Sequence, residues 1–485
     1  MSASSASRTP LSRRSFLGGV AATAAAGILA ACGGSSATSA PSSTAAATKA
    51  PAASAGTAAV TAGASTPAVA AGANGTAAPA ATTAGAASVA TGATAPAASA
   101  AAPSGPAAGA ILFGAAISLT GANSKEGKLT QDGYNFWKKT VNDTGGITVG
   151  DKRYTVDIKY YDDESSADTS AKLTEKLITE DKINFILGPY GSSQTLSASA
   201  ITEKYKKPMV EANGAAEAIF NRGFKYVFSP MTPAKYYLRG IIDACLDKDS
   251  TIKSVAILAD NDTFSVEVAE GTQSYAKEKG LNVVYYEKVP ADTKDVSAQL
   301  TQIKPKNPDL FISSGHYASA ALVMKQAKEL KFNPKAFGFS VGPALPDFTT
   351  TLKDAADYVF GGTQWTRDLK FKDEQFGTSQ EYATKFQAFA GYEPAYQNAE
   401  STCAGQCFQQ ALAKAGSLDT EKVRDALASL QFKSFFADVK FDSRGINNDK
   451  PMAAEQIQGG KKVTVWPKEA ASGALKYPTP GWDKR

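Results

Sequence analysis

From Ile111 onward, short apolar runs alternate with amphipathic stretches along the chain. Ile111-Leu112-Phe113 with Ala115-Ala116-Ile117 predicts a strand, and 129–142 a helix. A strand over 154–161 precedes a helix over 167–181 that carries Leu173, Leu177 and Ile178 on one face. Residues 183–187 give the next strand and 195–206 the next helix. The alternation restarts at Val255-Ala256-Ile257-Leu258, before a helix over 265–279 that Gly280 is placed to cap. Strands over 283–286 and 310–312 and helices over 296–303 and 319–330 complete the second round. Strands and helices in alternation, joined by short connections, build βαβ units and a mostly parallel sheet. The pattern occurs twice, over about 111–230 and 253–362, so the expected fold is α/β with two doubly wound parallel-sheet lobes. Ligands of such sheets sit outside the carboxyl ends of the strands. That rule selects loops 118–123, 188–194 and 211–216 in the first lobe, and 260–264, 314–317 and 340–343 in the second.

Composition separates the first 110 residues from the rest. Between Gly33 and Ala110 there is no aromatic residue and one charge, Lys49; nearly everything else is Ala, Ser, Thr, Gly or Pro. Such a segment has too little apolar surface to offset the entropy of ordering it. It reads as a disordered tether with a reach on the order of 50 Å. Ahead of it, Ser12-Arg13-Arg14-Ser15-Phe16-Leu17 is a twin-arginine pattern before an Ala/Gly-rich apolar run, 16–31, that is short for a membrane span. Leu29-Ala30-Ala31-Cys32-Gly33 resembles a bacterial lipobox, in which the cysteine receives a lipid. The expected plan is a signal peptide over 1–31, then lipidated Cys32 and tether over 32–110, which places the folded part outside the cytoplasm and anchored to the cell membrane. The formal charge of +5 includes Arg8, Arg13, Arg14 and Lys49, and without these four the folded part stands near +1. No basic footprint for nucleic acid remains. Cys403 and Cys407 could form a bridge or stay as two buried thiols, the second being preferred; with Cys245 they are too sparse for a disulfide scaffold.

Ile117-Ser118-Leu119-Thr120-Gly121, Asn142-Asp143-Thr144-Gly145-Gly146-Ile147, Tyr161-Asp162-Asp163, Gly188-Pro189-Tyr190-Gly191-Ser192-Ser193 and Val439-Lys440-Phe441-Asp442-Ser443-Arg444-Gly445 follow one another at spacings that resemble the leucine/isoleucine/valine-binding family. The resemblance covers about 111–465. It implies a type I periplasmic-binding fold, with three crossovers near 230–233, 362–366 and 440–442. The first lobe would then take 111–231 and return over 363–440; the second would take 232–362 and return, with the tail, over 441–485. It also implies the solute-binding subunit of an ABC importer, a monomer that needs no cofactor and hands an amino acid, amide or small carboxylate to permease subunits.

Carried over position by position, Ser192 matches the serine that takes the ligand carboxylate, with Ser193 beside it, where free N–H groups at a helix N-terminus favour negative charge. Asn213, Gly214 and Ala215 match the second contact of the first lobe, although Ala215 stands where a hydroxyl residue is expected. Phe264 matches the aromatic contact of the second lobe, and His316 or Tyr317 the next one. Ser118, Tyr190 and Trp365 are placed at the cleft by position. The acidic residue that pairs a ligand ammonium falls at Val341, so either Asp260, Asp262 or Glu211 supplies that charge or the ligand is not a free α-amino acid.

His316 is the sole histidine. Catalysis would require an orienting partner and a nucleophile; a cleft-lining hydrogen bond or a structural role fits it better. Residues 121–130 lack phosphate-loop spacing, with Leu129 where Ser or Thr must reach magnesium. Tyr134 and Lys138 have a dehydrogenase spacing without a dinucleotide fingerprint. Asp162-Asp163-Glu164 reads as a turn or helix cap rather than a metal site. A tethered sensor feeding a membrane signalling receptor is the alternative function, with an anchored enzyme behind it.

Overall fold

The computed structural model describes residues 107–485; the signal-peptide, lipidation and most of the tether expectations, Cys32 included, fall outside the described residues. The first sheet is built from β1 (Ala110–Ile117), β2 (Ile147–Val149), β3 (Lys152–Asp162), β4 (Phe185–Leu187), β5 (Met209–Val210) and β6 (Val227–Phe228), in the order β2-β3-β1-β4-β5-β6. All pairings except the β2–β3 hairpin are parallel. Helices α1 (Ser124–Asp143), α2 (Ala167–Thr179) and α3 (Ser192–Lys204) connect these strands. β1 and β4 are almost continuously apolar and buried, as expected of strands covered on both faces.

After β6 the chain passes to the second lobe. There α4 (Arg239–Lys248) packs on a sheet of β7 (Ser254–Asp260), β8 (Asn282–Val289), β9 (Leu310–Ser314), β10 (Ala336–Phe339) and β11 (Phe360–Thr363). The connecting helices are α5 (Thr263–Glu278), α6 (Ser297–Ile303), α7 (Tyr317–Glu329) and α8 (Pro346–Leu352). The chain then returns with two short ribbons, β12 (Lys372–Asp373) with β13 (Gly377–Thr378) and β14 (Gln431–Lys433) with β15 (Asp438–Lys440), and with α9 (Ser379–Ala390), α10 (Tyr396–Ala415) and α11 (Thr420–Ala428). α10 lies along α1. Its Phe408 joins Phe113, Trp137 and Phe185 in one aromatic core, with Phe113 5.2 Å from both Trp137 and Phe408. β16 (Ala453–Gln458) and β17 (Lys461–Trp466) add an antiparallel edge to the second sheet, giving the order β17-β16-β11-β10-β9-β7-β8.

Three crossing segments are laced together where the lobes meet. Thr232 and Gln364 exchange two hydrogen bonds, Thr232 N–H to Gln364 Oε1 at 3.1 Å and Gln364 Nε2 to the Thr232 carbonyl at 2.8 Å. The Thr232 hydroxyl donates to the Lys450 carbonyl at 2.7 Å, and the buried Lys450 ammonium bonds Gln364. Ser229 pairs with Ile446 in an isolated bridge, just beyond the 440–442 stretch and before the chain reaches β16. Cys245, Cys403 and Cys407 are buried free thiols.

Candidate ligand-binding cleft

In each sheet the strand order reverses beside one strand. β1 has β3 and β4 as neighbours, and β7 has β8 and β9. The loops leaving the carboxyl ends of such strands diverge and leave a crevice. Here the loops after β1 and β4 face those after β7 and β9, around a cavity of about 640 Å³.

On the first-lobe side, Gly191 caps α3 with φ of 92°, a conformation that favours glycine, and this turns Ser192 and Ser193 into the cavity wall. Ser192 Oγ accepts the Ala216 N–H at 3.1 Å, while Ser193 Oγ donates across the cleft to Thr263 Oγ1 at 3.1 Å. Asn213 pairs with Tyr190 in a short bridge, and its Nδ2 donates to Ser401 Oγ at 3.0 Å. The Gly214 N–H is held by Glu211, and the Ala215 carbonyl accepts from Ala234. Burial pushes Glu211 up to about 8 against the donors Ser229, Gly214 and Asn213.

His316 precedes α7 on the second-lobe side, and Asp262 caps α5 by accepting from Phe264 and Ser265 N–H at 2.9 and 3.0 Å. His316 shares a 3.0 Å hydrogen bond with Tyr190 Oη, lies 3.8 Å from Asp262 Oδ2 and packs its ring 5.6 Å from Phe264. Burial alone would strip the imidazole of its proton; the Asp262 carboxylate, helped by Glu126 and Asp260, outweighs it and lifts the pKa to about 9. Burial raises Asp260 to about 7, opposed by the Ser319 hydroxyl and by His316. In Asp262 burial is overcome by His316 and the Ser265 donors, and the carboxyl stays below its ordinary range.

Ser192, Ser193, His316 and Tyr317 line the cavity, whereas Tyr190 and Phe264 are buried and pack against the His316 ring without lining it. Asn213, Gly214 and Ala215 lie behind that wall. Two expected site residues are elsewhere. Ser118 is fully buried, with its hydroxyl donated to Asp163 Oδ1 at 2.7 Å. Trp365 packs its ring 5.4 Å from Tyr382 and donates Nε1–H to the Phe435 carbonyl at 3.2 Å, in the core beside the crossover. The Asp162 and Asp163 carboxylates accept donors from 118–120 and 164–165 and so fix the loop after β1.

Sequence reasoning missed Glu126. It sits in the first turn of α1, fully buried, and its Oε1 accepts the Tyr317 N–H from the opposite lobe at 2.9 Å. Gly127 makes that position possible, because a Cβ there would collide with the Ser118 carbonyl. Burial raises the Glu126 pKa, with His316 and the Tyr317 N–H pulling the other way. Tyr237, Tyr396 and Glu400 were also missed. Tyr237 stacks edge-on to Phe264 at 5.0 Å and continues toward Tyr396 on α10.

Two lobes whose strand ends enclose a hinged cavity define the class of two-lobed solute traps. The chain belongs to the periplasmic binding protein family, whose model matches residues 110–462. Among curated relatives, it is 25% identical to Leu/Ile/Val-binding protein homolog 7 of Brucella suis over 320 residues, 62% of this chain and 79% of that protein. It is 24% identical to homolog 8 of Brucella melitensis over 324 residues, 62% and 78% of the two chains. Its fold is similar to the leucine binding protein LivK of Thermotoga maritima, at a TM-score of 0.65, 21% identity and coverage of 73% of this chain and 97% of that one. It is likewise similar to a solute binding protein of R. palustris solved with benzoate, at a TM-score of 0.64, 18% identity and coverage of 75% and 98%. The chain is therefore an extracytoplasmic solute-binding protein rather than an enzyme. Among the described residues no helix is long and apolar enough to cross a membrane.

Proposed function

We propose that this protein is the receptor subunit of an ABC importer, held at the cell membrane by a lipid on Cys32 and a flexible tether, and that it captures an amino acid, amide or small carboxylate. One observation carries the reading: hydroxyls and a helix N-terminus of the first lobe face Asp262, His316 and Tyr317 of the second across a cavity of about 640 Å³. That volume is in the range of small-molecule sites. Proteins of similar fold add support, since LivJ of Streptococcus pneumoniae was solved with isoleucine and others with benzoate or 3,4-dihydroxy benzoic acid. Ligand would land on Ser192 and Ser193 and bring His316 and Phe264 over it. The test is a thermal-shift screen of the chain against amino acids, amides and small carboxylates. A true ligand at about 100 times its Kd stabilises by about 2.7 kcal/mol, and a flat response across all three classes would overturn the reading.

A further inference from the structure

A second cavity, of about 870 Å³, opens between the lobes and shares no lining residue with the cleft. Leu119, Leu129, Phe389 and Tyr392 form its first-lobe side, and Leu345 and Pro346 its second-lobe side. Lys125 lines it too and holds its ammonium 4.8 Å from the centre of the Tyr317 ring, which lines the cleft. These two side chains therefore stand between the cavities. The aromatic wall is held from behind. The Phe389 ring rests 5.3 Å from Phe136 and 6.1 Å from Phe386, while Tyr392 packs 5.6 Å from Phe386 and its hydroxyl donates to Asp132 at 3.0 Å. Phe389 is nevertheless 37% exposed, the only large hydrophobic side chain so exposed among the described residues. A ring fixed in place yet left in water gains by being covered.

The charges in this groove decide what covers it. Lys125 pairs with Asp347 and Lys128 with Asp132, so all four charged side chains of its lining are matched. A charged ligand would find no free counter-charge there, and bringing it out of water unpaired is costly. The volume lies in the range of small-molecule sites. A protein partner would need about 800 Å² on each side around an apolar centre, and among the described residues no second large exposed hydrophobic extends the patch beyond Phe389. We infer that this groove is a second ligand site, which takes a neutral small molecule with an aromatic or aliphatic body. Its walls belong to both lobes, so it is complete only in their closed arrangement, and an occupant favours that arrangement. By linkage, an occupant here and a solute in the cleft each tighten the binding of the other. The coupling rests on the solute-binding reading; the site itself does not.

The experiment titrates the full chain with indole and with cyclohexanol by calorimetry, and each should saturate a single site. Phe389→Glu and Pro346→Glu change one wall from each lobe at exposed positions, so their melting temperatures should stay near that of the parent. Each should weaken both probes tenfold or more. With spin labels at Lys172→Cys and Lys328→Cys and Cys32 replaced by serine, indole should shorten the lobe separation at about 1 M salt, which screens the Lys125–Asp347 pair. Phe389→Glu should abolish that shortening. If neither probe saturates, or if both variants leave the probes unchanged, the second site does not exist. Self-association of the chain that Phe389→Glu abolishes, with neither probe bound, would give the groove to a second copy and overturn the inference. Probes that bind without moving the lobes would sink the coupling. If the groove probes bind while amino acids, amides and small carboxylates all fail, the second site stands and the solute-binding reading falls.

Discussion

His316 shows how one side chain joins the two lobes. It is bonded to Tyr190 of the first lobe and paired with Asp262 of its own, and Glu126 reaches over from α1 to the next residue's N–H. Its pKa is raised to about 9 although burial works against the charged form. A histidine whose folded pKa lies above its unfolded value of about 6.5 stabilises the fold fully below that value, and the contribution disappears as pH climbs through the folded pKa. His316→Gln should thus lower stability by about 1–3 kcal/mol near pH 6, and the gap should narrow toward pH 9. Chemical denaturation of both proteins at several pH values measures this. A gap that widens with pH would mean that His316 is neutral in the fold.

At the scale of elements, the helix starts decide what the sequence could and could not disclose. Apolar periodicity places α1 from 129, α3 from 195 and α7 from 319, whereas they begin at Ser124, Ser192 and Tyr317. The missing first turns of α1 and α3 are polar and carry no period, and that of α7 is only Tyr317-Ala318, yet they bring Glu126, Ser192, Ser193 and Tyr317 to the cleft. β1, β4, β7 and β9 were legible because buried parallel strands are continuous apolar runs, whereas the short β5, β6, β10 and β11 were not read from the sequence. α10 was not legible, since polar Gln397, Asn398, Glu400, Ser401 and Thr402 are all buried along it and no exposed face sets up an amphipathic pattern. Glu400 was hidden for the same reason. The cap of α5 allows a direct test. Asp262→Asn retains an N-cap oxygen but loses the charge, so it should keep helix stability and reduce the His316 pKa; Asp262→Ala should lose about 1 kcal/mol more. Urea unfolding separates the two, and equal losses would show that capping matters little there.

On the scale of the whole molecule, three kinds of polar contact hold the lobes: the hinge bonds, the buried bonds across the cleft from Tyr190 and Glu126 to His316 and Tyr317, and the ion pairs at the rim, and salt should single out the last. The hinge bonds among Thr232, Gln364 and Lys450 are buried. Across the rim, Lys125 pairs with Asp347 and Lys235 with Glu217, with lysine side chains 45% and 37% exposed; the Glu217 N–H donates to the Glu267 carboxylate at 2.8 Å. Partly exposed pairs of this kind contribute about 0–1 kcal/mol each and are screened, since the Debye length falls to about 3 Å at 1 M salt. The rim's share of closure is therefore small and open to salt, and ligand acts on closure through its differential affinity for the closed state. Spin labels at Lys172→Cys on α2 and Lys328→Cys on α7, both exposed, report the lobe separation once Cys32 is replaced by serine, because the thiols of Cys245, Cys403 and Cys407 are buried. Without ligand, the distance distribution should broaden toward longer values as salt rises to about 1 M, a concentration at which the hinge stays intact because screening hardly reaches buried groups. Ligand should restore the short distance at the same salt. A separation indifferent to salt would place the closing energy in the buried contacts around His316, Phe264 and Tyr237 rather than at the rim.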